Sequence, residues 1–325
     1  MDDKIILITG GSGSLGTALI KYLYENYEPK KVIVYSRDEF KHSEMRKIFK
    51  QENLRFFIGD VRDHKRLNYA FNQVNIVIHA AALKQVPALE YNPFEAVKTN
   101  VLGTQNVVQA ALRNHVEKVL YISTDKAVEP INVYGTTKAL AEKIIISANN
   151  HKGESDTIFS AVRYGNVMSS KGSVIPYFQE LARKSLIFPI TNEQMTRFNL
   201  TMQKAIDIIE YGLKEMKGGD IFVPKVPSYR ILDLAMAIDE NCKVKETGIR
   251  PGEKLHEVLV SKNEANRTIE DGNYYRILSD FALKNYLSRW YFPKVDEYFE
   301  YNSRDNDKWL TVKKLRELIK KGSSC

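Results

Sequence analysis

Short, continuous apolar runs recur through the first half of the chain at residues 4–9, 31–35, 55–58, 75–78, 119–122 and 158–163. None alternates apolar with polar residues, so each predicts a strand covered on both faces, as in a parallel sheet. The longer segments between them, at 17–27, up to Phe71, up to about Arg113 and from about Tyr134 to Asn149, carry apolar residues at helical spacing. Strands alternating with helices predict an α/β fold with a parallel sheet between helical layers. From Tyr164 the pattern breaks into polar, loop-like segments: Tyr164-Gly165-Asn166-Val167 and Ser169-Ser170-Lys171-Gly172-Ser173. A helix over 201–216 is expected to return to the sheet, and the last thirty residues read as peripheral helices. The expected division is a nucleotide-binding domain over 1–166 and 201–224, and a smaller substrate-binding domain over 167–200 and 225–325.

Between the first strand and the first helix stand Gly10-Gly11-Ser12-Gly13-Ser14-Leu15-Gly16. Gly11, Gly13 and Gly16 fit G-x-G-x-x-G, and Gly10, Gly13 and Gly16 fit G-x-x-G-x-x-G. Glycine lets the chain turn sharply and the backbone approach a pyrophosphate, which then sits at the positive end of a helix. The order strand, glycines, helix separates this fingerprint from an ordinary glycine-rich turn. A dinucleotide-binding, Rossmann-type doubly wound sheet is therefore expected. The second strand ends in Ser36-Arg37-Asp38-Glu39. A hydroxyl and a guanidinium suit a 2′-phosphate and favour NADP, while Asp38 and Glu39 leave NAD open. Asp60 is placed to meet the adenine amino group. His79 reads as a packed histidine, and Ala80, Ala81 and Ala82 leave room beside it for a flat ring. Lys84 lies on a loop able to reach a substrate.

The densest chemistry runs from Ser123 to Lys138. Tyr134 and Lys138 stand at i and i+4, on one face of a helix. A phenol titrates near 10, and a lysine cation one turn away favours its phenolate. Thr124, Asp125 and Lys126 follow an apolar strand at its C-terminal end, where open α/β sheets place their ligands. A hydroxyl, a carboxylate, an amine and a phenol would then converge as an acid/base site. Further along, Lys171, Arg197 and Arg250 can bring positive charge to a phosphorylated substrate, and Glu253 an acceptor for a diol.

Composition narrows the alternatives. With 325 residues, 43% of them hydrophobic, the chain can bury a sizeable core. The net charge of +8 raises nucleic acid as a partner, but 48 basic residues are interspersed with 40 acidic ones, so none is expected. Cys242 and Cys325 are too few for a disulfide framework or a zinc site, and the six histidines have no ligand spacing. No metal is expected. No apolar run reaches the ~18 residues of a membrane span, and the chain opens on a strand, so a soluble, cytoplasmic protein is expected.

Thr9-Gly10-x-x-Gly13-x-x-Gly16, His79-Ala80-Ala81, Asn100, Tyr134-x-x-x-Lys138 and Arg163-Tyr164-Gly165-Asn166-Val167 together resemble the extended short-chain dehydrogenase/reductases. Within these, the segments at 123–127, 130–138, 195–198 and 248–257 (Gly-Ile-Arg-Pro-Gly-Glu-Lys-Leu-His-Glu) are similar to the soluble UDP-N-acetylglucosamine 4,6-dehydratases that invert carbon-5. The resemblance extends to about Asn273. Loop 83–87 is also similar to a sister group with epimerase activity, which carries methionine where this chain has Tyr134. Membrane-bound relatives carry an N-terminal membrane region not seen here.

The resemblance implies catalytic roles for Thr124, Asp125, Lys126, Tyr134 and Lys138. Tyr134 would take the carbon-4 hydroxyl proton with Lys138 holding it, and Asp125, with a raised pKa, would protonate the departing carbon-6 hydroxyl. Lys126, with a lowered pKa, would remove the carbon-5 proton. It implies cofactor contacts at Thr9, Gly10, Gly13, Ser14, Leu15, Gly16, Ser36, Arg37, Asp38, Lys41, Asp60, Val61, Ala80, Ala81, Ala82, Lys84 and Asn100, besides Tyr134 and Lys138. Substrate contacts are implied at Lys84, Asn166, Val174, Thr196, Arg197, Arg250 and Glu253, in a homo-oligomer acting on UDP-N-acetylglucosamine. The rivals are a UDP-sugar 4-epimerase on the same fold and a non-catalytic NADP-binding protein.

Overall fold

The computed structural model describes residues 1–168, 174–184, 187–279, 282–283 and 293–322; Lys171 lies outside them. In chain order its strands begin with β1 (Ile5–Thr9), β2 (Lys31–Ser36), β3 (Leu54–Ile58), β4 (Ile76–His79), β5 (Lys118–Ile122) and β6 (Ile158–Val162). There follow β7 (Phe188–Ile190), β8 (Thr196–Phe198), β9 (Asp220–Pro224), β10 (Ser228–Arg230) and β11 (Val244–Glu246). The last are β12 (Val258–Val260), β13 (Thr268–Asp271), β14 (Tyr274–Leu278) and β15 (Tyr301–Asn302).

The large sheet has the order β3-β2-β1-β4-β5-β6-β9-β14-β13, and its first seven strands are parallel. Every residue of β1 and β4 is buried, as continuous apolar runs require. Helix Ser14–Asn26 packs with Met202–Glu215, and helix Gly103–Arg113 packs with both His64–Ala70 and Val133–His151. The strand order reverses between β1 and β4, and the C-terminal ends of β1, β4 and β5 lead into the glycine loop, Ala80–Ala82 and Ser123. A crevice at such a switch point is where this architecture receives ligands.

A second apolar core joins Ile175, Phe178, Phe188, Ile190, Met195, Tyr229, Leu234 and Leu315. It gives the smaller lobe its own interior. The expected domain boundary needs correction on its C-terminal side. Hairpin β13–β14 pairs antiparallel with β9 and extends the large sheet, and Leu259, Val260, Ile277 and Tyr301 join the main core. Nor is the chain's end merely peripheral: helix Val312–Gly322 sends Leu315 and Ile319 into the smaller core. Among the described residues no helix is long and apolar enough to cross a membrane, and no His, Cys, Asp or Glu cluster could hold a metal ion.

Candidate active site

The glycine loop is built for close approach. Gly10 has φ +67°, and a Cβ there would stand 2.9 Å from Ala81 Cα. At Gly16 a Cβ would come within 2.3 Å of the Gly11 carbonyl oxygen, so β1 and helix Ser14–Asn26 meet only through glycine. A cleft of 740 Å³ opens above this loop, a volume that suits a dinucleotide. Gly10, Gly13, Ser14, Leu15, Gly16, Ser36, Arg37, Asp38, Lys41, Asp60, Val61, Ala80, Ala81, Ala82 and Lys84 all line it.

Polar side chains at the end of β2 are already partly committed. Ser36 Oγ lies 2.8 Å from Ser12 Oγ and 2.7 Å from His42 Nε2. Asp38 caps helix Glu39–Ile48, accepting from the Lys41 N–H at 2.9 Å and pairing with Lys41 Nζ at 2.7 Å. That cap draws the carboxylate back toward its own helix. Arg37 is half exposed and pairs with Asp60 at 3.5 Å. Asp60, expected at the adenine, is engaged at both oxygens: Oδ1 accepts the Arg62 N–H and Oδ2 the Arg62 guanidinium. Burial works against its charge, but Arg62 and Arg37 outweigh that and hold its carboxyl below the usual range.

Two expected cofactor contacts lie behind the wall. Thr9 is fully buried, its hydroxyl 2.7 Å from His79 Nδ1 and accepting the Ala81 N–H at 3.2 Å. Asn100, on a π-helical turn Val97–Leu102, accepts the Leu83 N–H at 2.8 Å and donates to the Leu83 carbonyl and to Thr137. Both shape the loop after β4 rather than the cleft surface. His79 is the packed residue expected: burial, with Lys138 adding, lowers its pKa to about 3, so it is neutral.

Beyond β5 the chain turns once, at Asp125–Ala127, then enters helix Val133–His151. Asn132 caps this helix, accepting the Gly135 N–H at 2.7 Å, and its amide donates to the Gly252 carbonyl at 2.7 Å. A Cβ at Gly135 would stand 2.2 Å from the Lys126 carbonyl oxygen, so the turn and the helix start are in direct contact. Thr124, Lys126, Tyr134 and Lys138 consequently share the cleft. Burial raises the Tyr134 pKa; the Lys126 charge and a hydrogen bond with Thr124 oppose it. Lys126, from the preceding turn, is thus a cation that favours the phenolate. Lys138 donates to the Ile122 carbonyl at 2.6 Å, lies 4.0 Å over the Tyr121 ring, and is lowered by burial to about 7.

Asp125 does not line the cleft. It is buried behind Thr124 and Lys126, and its Oδ1 accepts from Thr124 Oγ1 at 2.8 Å and Lys126 Nζ at 3.1 Å. Lys126 Nζ also donates to Asn166 Oδ1 at 3.0 Å and lies 3.5 Å from Glu257 Oε1. The lowered pKa expected of Lys126 is reversed. Burial disfavours the ammonium, but the Asp125 and Glu257 carboxylates outweigh it and hold the pKa above its ordinary value.

A second cleft of 460 Å³ adjoins the first, sharing Asn166 and Val167 as lining residues. It is lined by Val174, Arg197, Arg250 and Glu253, among apolar side chains such as Phe178, Pro189 and Tyr229. Lys84 lines only the first cleft, and Thr196 neither. Thr196 is buried, its hydroxyl 2.8 Å from His256 Nδ1 and 2.7 Å from Ser303 Oγ. Arg197 donates to the Thr196 carbonyl at 2.7 Å and pairs with Glu253 at 3.4 Å. Glu257 is the residue the sequence reading passes over. It closes the 248–257 segment after three other charged residues, Arg250, Glu253 and Lys254, and the cations nearest its carboxylate, Lys126 and Arg197, are far away in sequence.

Residues 6–279 match the family described as polysaccharide biosynthesis protein. A Campylobacter jejuni UDP-N-acetylglucosamine 4,6-dehydratase (inverting) is 46% identical over 97% of both chains. A Rickettsia felis UDP-glucose 4-epimerase is 41% identical, covering 98% of this chain and 95% of its own. Among solved structures, Pen from Bacillus thuringiensis superimposes with a TM-score of 0.89 at 37% identity, covering 98% of this chain and 99% of its own.

Proposed function

The chain belongs to the polysaccharide biosynthesis protein family of extended short-chain dehydrogenase/reductases, and from that premise we propose that it is a UDP-N-acetylglucosamine 4,6-dehydratase that inverts carbon-5 with bound NADP. One observation carries the choice of elimination over epimerisation: buried Asp125 pairs at 3.1 Å with Lys126, which shares the cleft with Tyr134. Moving hydride at carbon-4 alone requires no such pair.

The residues that would hold the cofactor are the glycine loop, Ala80–Ala82 and Lys138, with Arg37 at the 2′-phosphate. When bound, NADP supplies the acceptor for the carbon-4 hydride and its donor to carbon-6. Tyr134 takes the proton of the carbon-4 hydroxyl, stabilised as phenolate by Lys126 and Thr124. The carbon-4 ketone acidifies carbon-5. Lys126, whose side chain lines the cleft, removes that proton. Asp125 sends a proton to the carbon-6 hydroxyl through Thr124, whose hydroxyl bonds it and faces the cleft. Water leaves, and with a hydride returned to carbon-6 and a solvent-derived proton to carbon-5 the net change would be the loss of one water. Arg197, Arg250 and Glu253 in the second cleft suit the diphosphate and ribose of UDP.

Incubation with UDP-N-acetylglucosamine in deuterated water tests the reading by NMR. The expected product is a 4-keto-6-deoxy sugar with deuterium at carbon-5. A product epimerised at carbon-4 with protium at carbon-5 overturns it in favour of the epimerase.

A further inference from the structure

A lysine held as an ammonium cannot remove a proton, so something must first take one from Lys126. All three of its N–H groups face acceptors: Asp125, Asn166 and Glu257. Asn166 can accept a hydrogen bond but not a proton at neutral pH. The choice falls between two carboxylates.

They are not equivalent. Asp125 Oδ1 accepts two hydrogen bonds, from Thr124 and Lys126, and in the proposed reaction it gives a proton toward carbon-6, so it is not the group that takes one from Lys126. Glu257 precedes β12 and is 2% exposed. Its Oε1 lies 3.5 Å from Lys126 Nζ and 3.8 Å from Arg197 Nε, and its buried Oε2 accepts no hydrogen bond among the described residues. A buried charge so poorly solvated is costly, and a proton relieves the cost. Burial pushes the Glu257 pKa up; Lys126 opposes this, Asp125 adds to it, and Arg197 and Lys254 oppose it from the remaining sides. The carboxylate is also firmly placed. Its N–H donates to Ser303 Oγ at 2.9 Å, and the Ser303 N–H donates to its carbonyl at 2.8 Å.

We propose that Glu257 is a positioning residue that takes a proton from the Lys126 ammonium, leaving a neutral amine to remove the carbon-5 proton. This rests on the dehydratase reading. In the transfer an N–H bond of Lys126 breaks and an O–H bond forms on Glu257, so a buried ion pair becomes a neutral pair with no net change in protons. The carbon-5 proton then re-forms the ammonium. Once that ammonium has passed its proton to solvent water, which is the route by which carbon-5 exchanges, Glu257 returns the stored one to the amine and the ion pair is restored.

Glu257→Gln, with NADP and UDP-N-acetylglucosamine, separates the two half-steps. Carbon-4 oxidation, read as reduced-nicotinamide absorbance, should match the native rate, whereas exchange of the carbon-5 proton in deuterated water should fall roughly 10²-fold or more. Raising the pH from about 7 to 9 should restore exchange in the variant by about tenfold per unit, as bulk base replaces the missing acceptor. Glu257→Asp should recover part of the native exchange rate. Native-like exchange in Glu257→Gln, equal loss of oxidation and exchange, a deficit independent of pH, or no recovery in Glu257→Asp would each overturn the inference. A native enzyme that places no deuterium at carbon-5 instead overturns the dehydratase reading itself.

Discussion

Single residues at the cleft divide between those that meet a ligand and those that hold a neighbour. Under the proposed function Tyr134 belongs to the first group, with its hydroxyl as the group that serves carbon-4 oxidation. Tyr134→Phe should keep the cofactor bound while turnover falls by at least about 10²-fold, the usual contribution of a placed base; near-normal turnover in a steady-state assay would remove Tyr134 from the chemistry. Arg37 bears on the proposed preference for NADP. Asp38 is occupied as a helix cap and bound to Lys41, whereas the half-exposed Arg37 guanidinium is held only by a 3.5 Å ion pair with Asp60 among the described residues. A phosphate–guanidinium contact contributes about 1.5–3 kcal/mol. Arg37→Ala should therefore weaken NADP by roughly tenfold or more and leave NAD little changed, as read by titration of each cofactor.

At the scale of elements, the site exists because a turn and a helix start touch. Gly135 permits that contact, since any side chain there would run into the Lys126 carbonyl. Gly135→Ala should yield a folded protein in which Lys126 and Tyr134 are pushed apart. Cofactor affinity should persist while turnover drops, and a variant with native kcat would show that the contact is dispensable. The same helix is capped by Asn132, whose amide reaches Gly252 near the second cleft. Asn132→Ala should cost about 0.5–2 kcal/mol for the cap alone. Its KM for the nucleotide sugar should rise as well, because the tie to Gly252 is lost.

Across the whole molecule, buried charge joins the parts. Arg163, at the end of β6, pairs with Glu142 at 2.5 Å on helix Val133–His151 and with Glu264 at 2.9 Å, and donates to the Leu259 carbonyl at 2.9 Å. Removing the arginine leaves two carboxylates facing one another in the interior. Arg163→Met should lose about 3–5 kcal/mol in denaturant unfolding. A change under about 1 kcal/mol would mean that the cluster contributes nothing net. Lys138 has a signed effect on stability. Its folded pKa is near 7 and its ordinary value is 10.5, so between those values the unfolded chain binds more protons. Stability must then rise with pH across that window, the penalty being fully present below it. The native protein should gain on Lys138→Met as pH rises from 7 toward 10; parallel curves for the two would contradict the buried cation.

Local order along the chain determined much of this protein. Continuous apolar runs at β1, β4 and β5 could only be central strands, and glycines between β1 and the first helix could only make a turn closed to side chains. Tyr134 and Lys138 share a face because helical geometry sets i and i+4 together whatever the rest of the molecule does. Pairings between distant segments were decided only in three dimensions. Hairpin β13–β14 looks like any short strand pair until the open edge of β9 accepts it. Thr9, Asn100 and Thr196 are motif residues whose side chains turn inward because buried partners, and not ligands, satisfy them. Lys126 shows the difference most plainly. Its neighbour Asp125 is visible in the sequence, but Glu257 stands 131 positions away and reaches it only through the packing of β12 against the turn at Asp125–Ala127. Charge acts through space, so the state of that amine belongs to the fold.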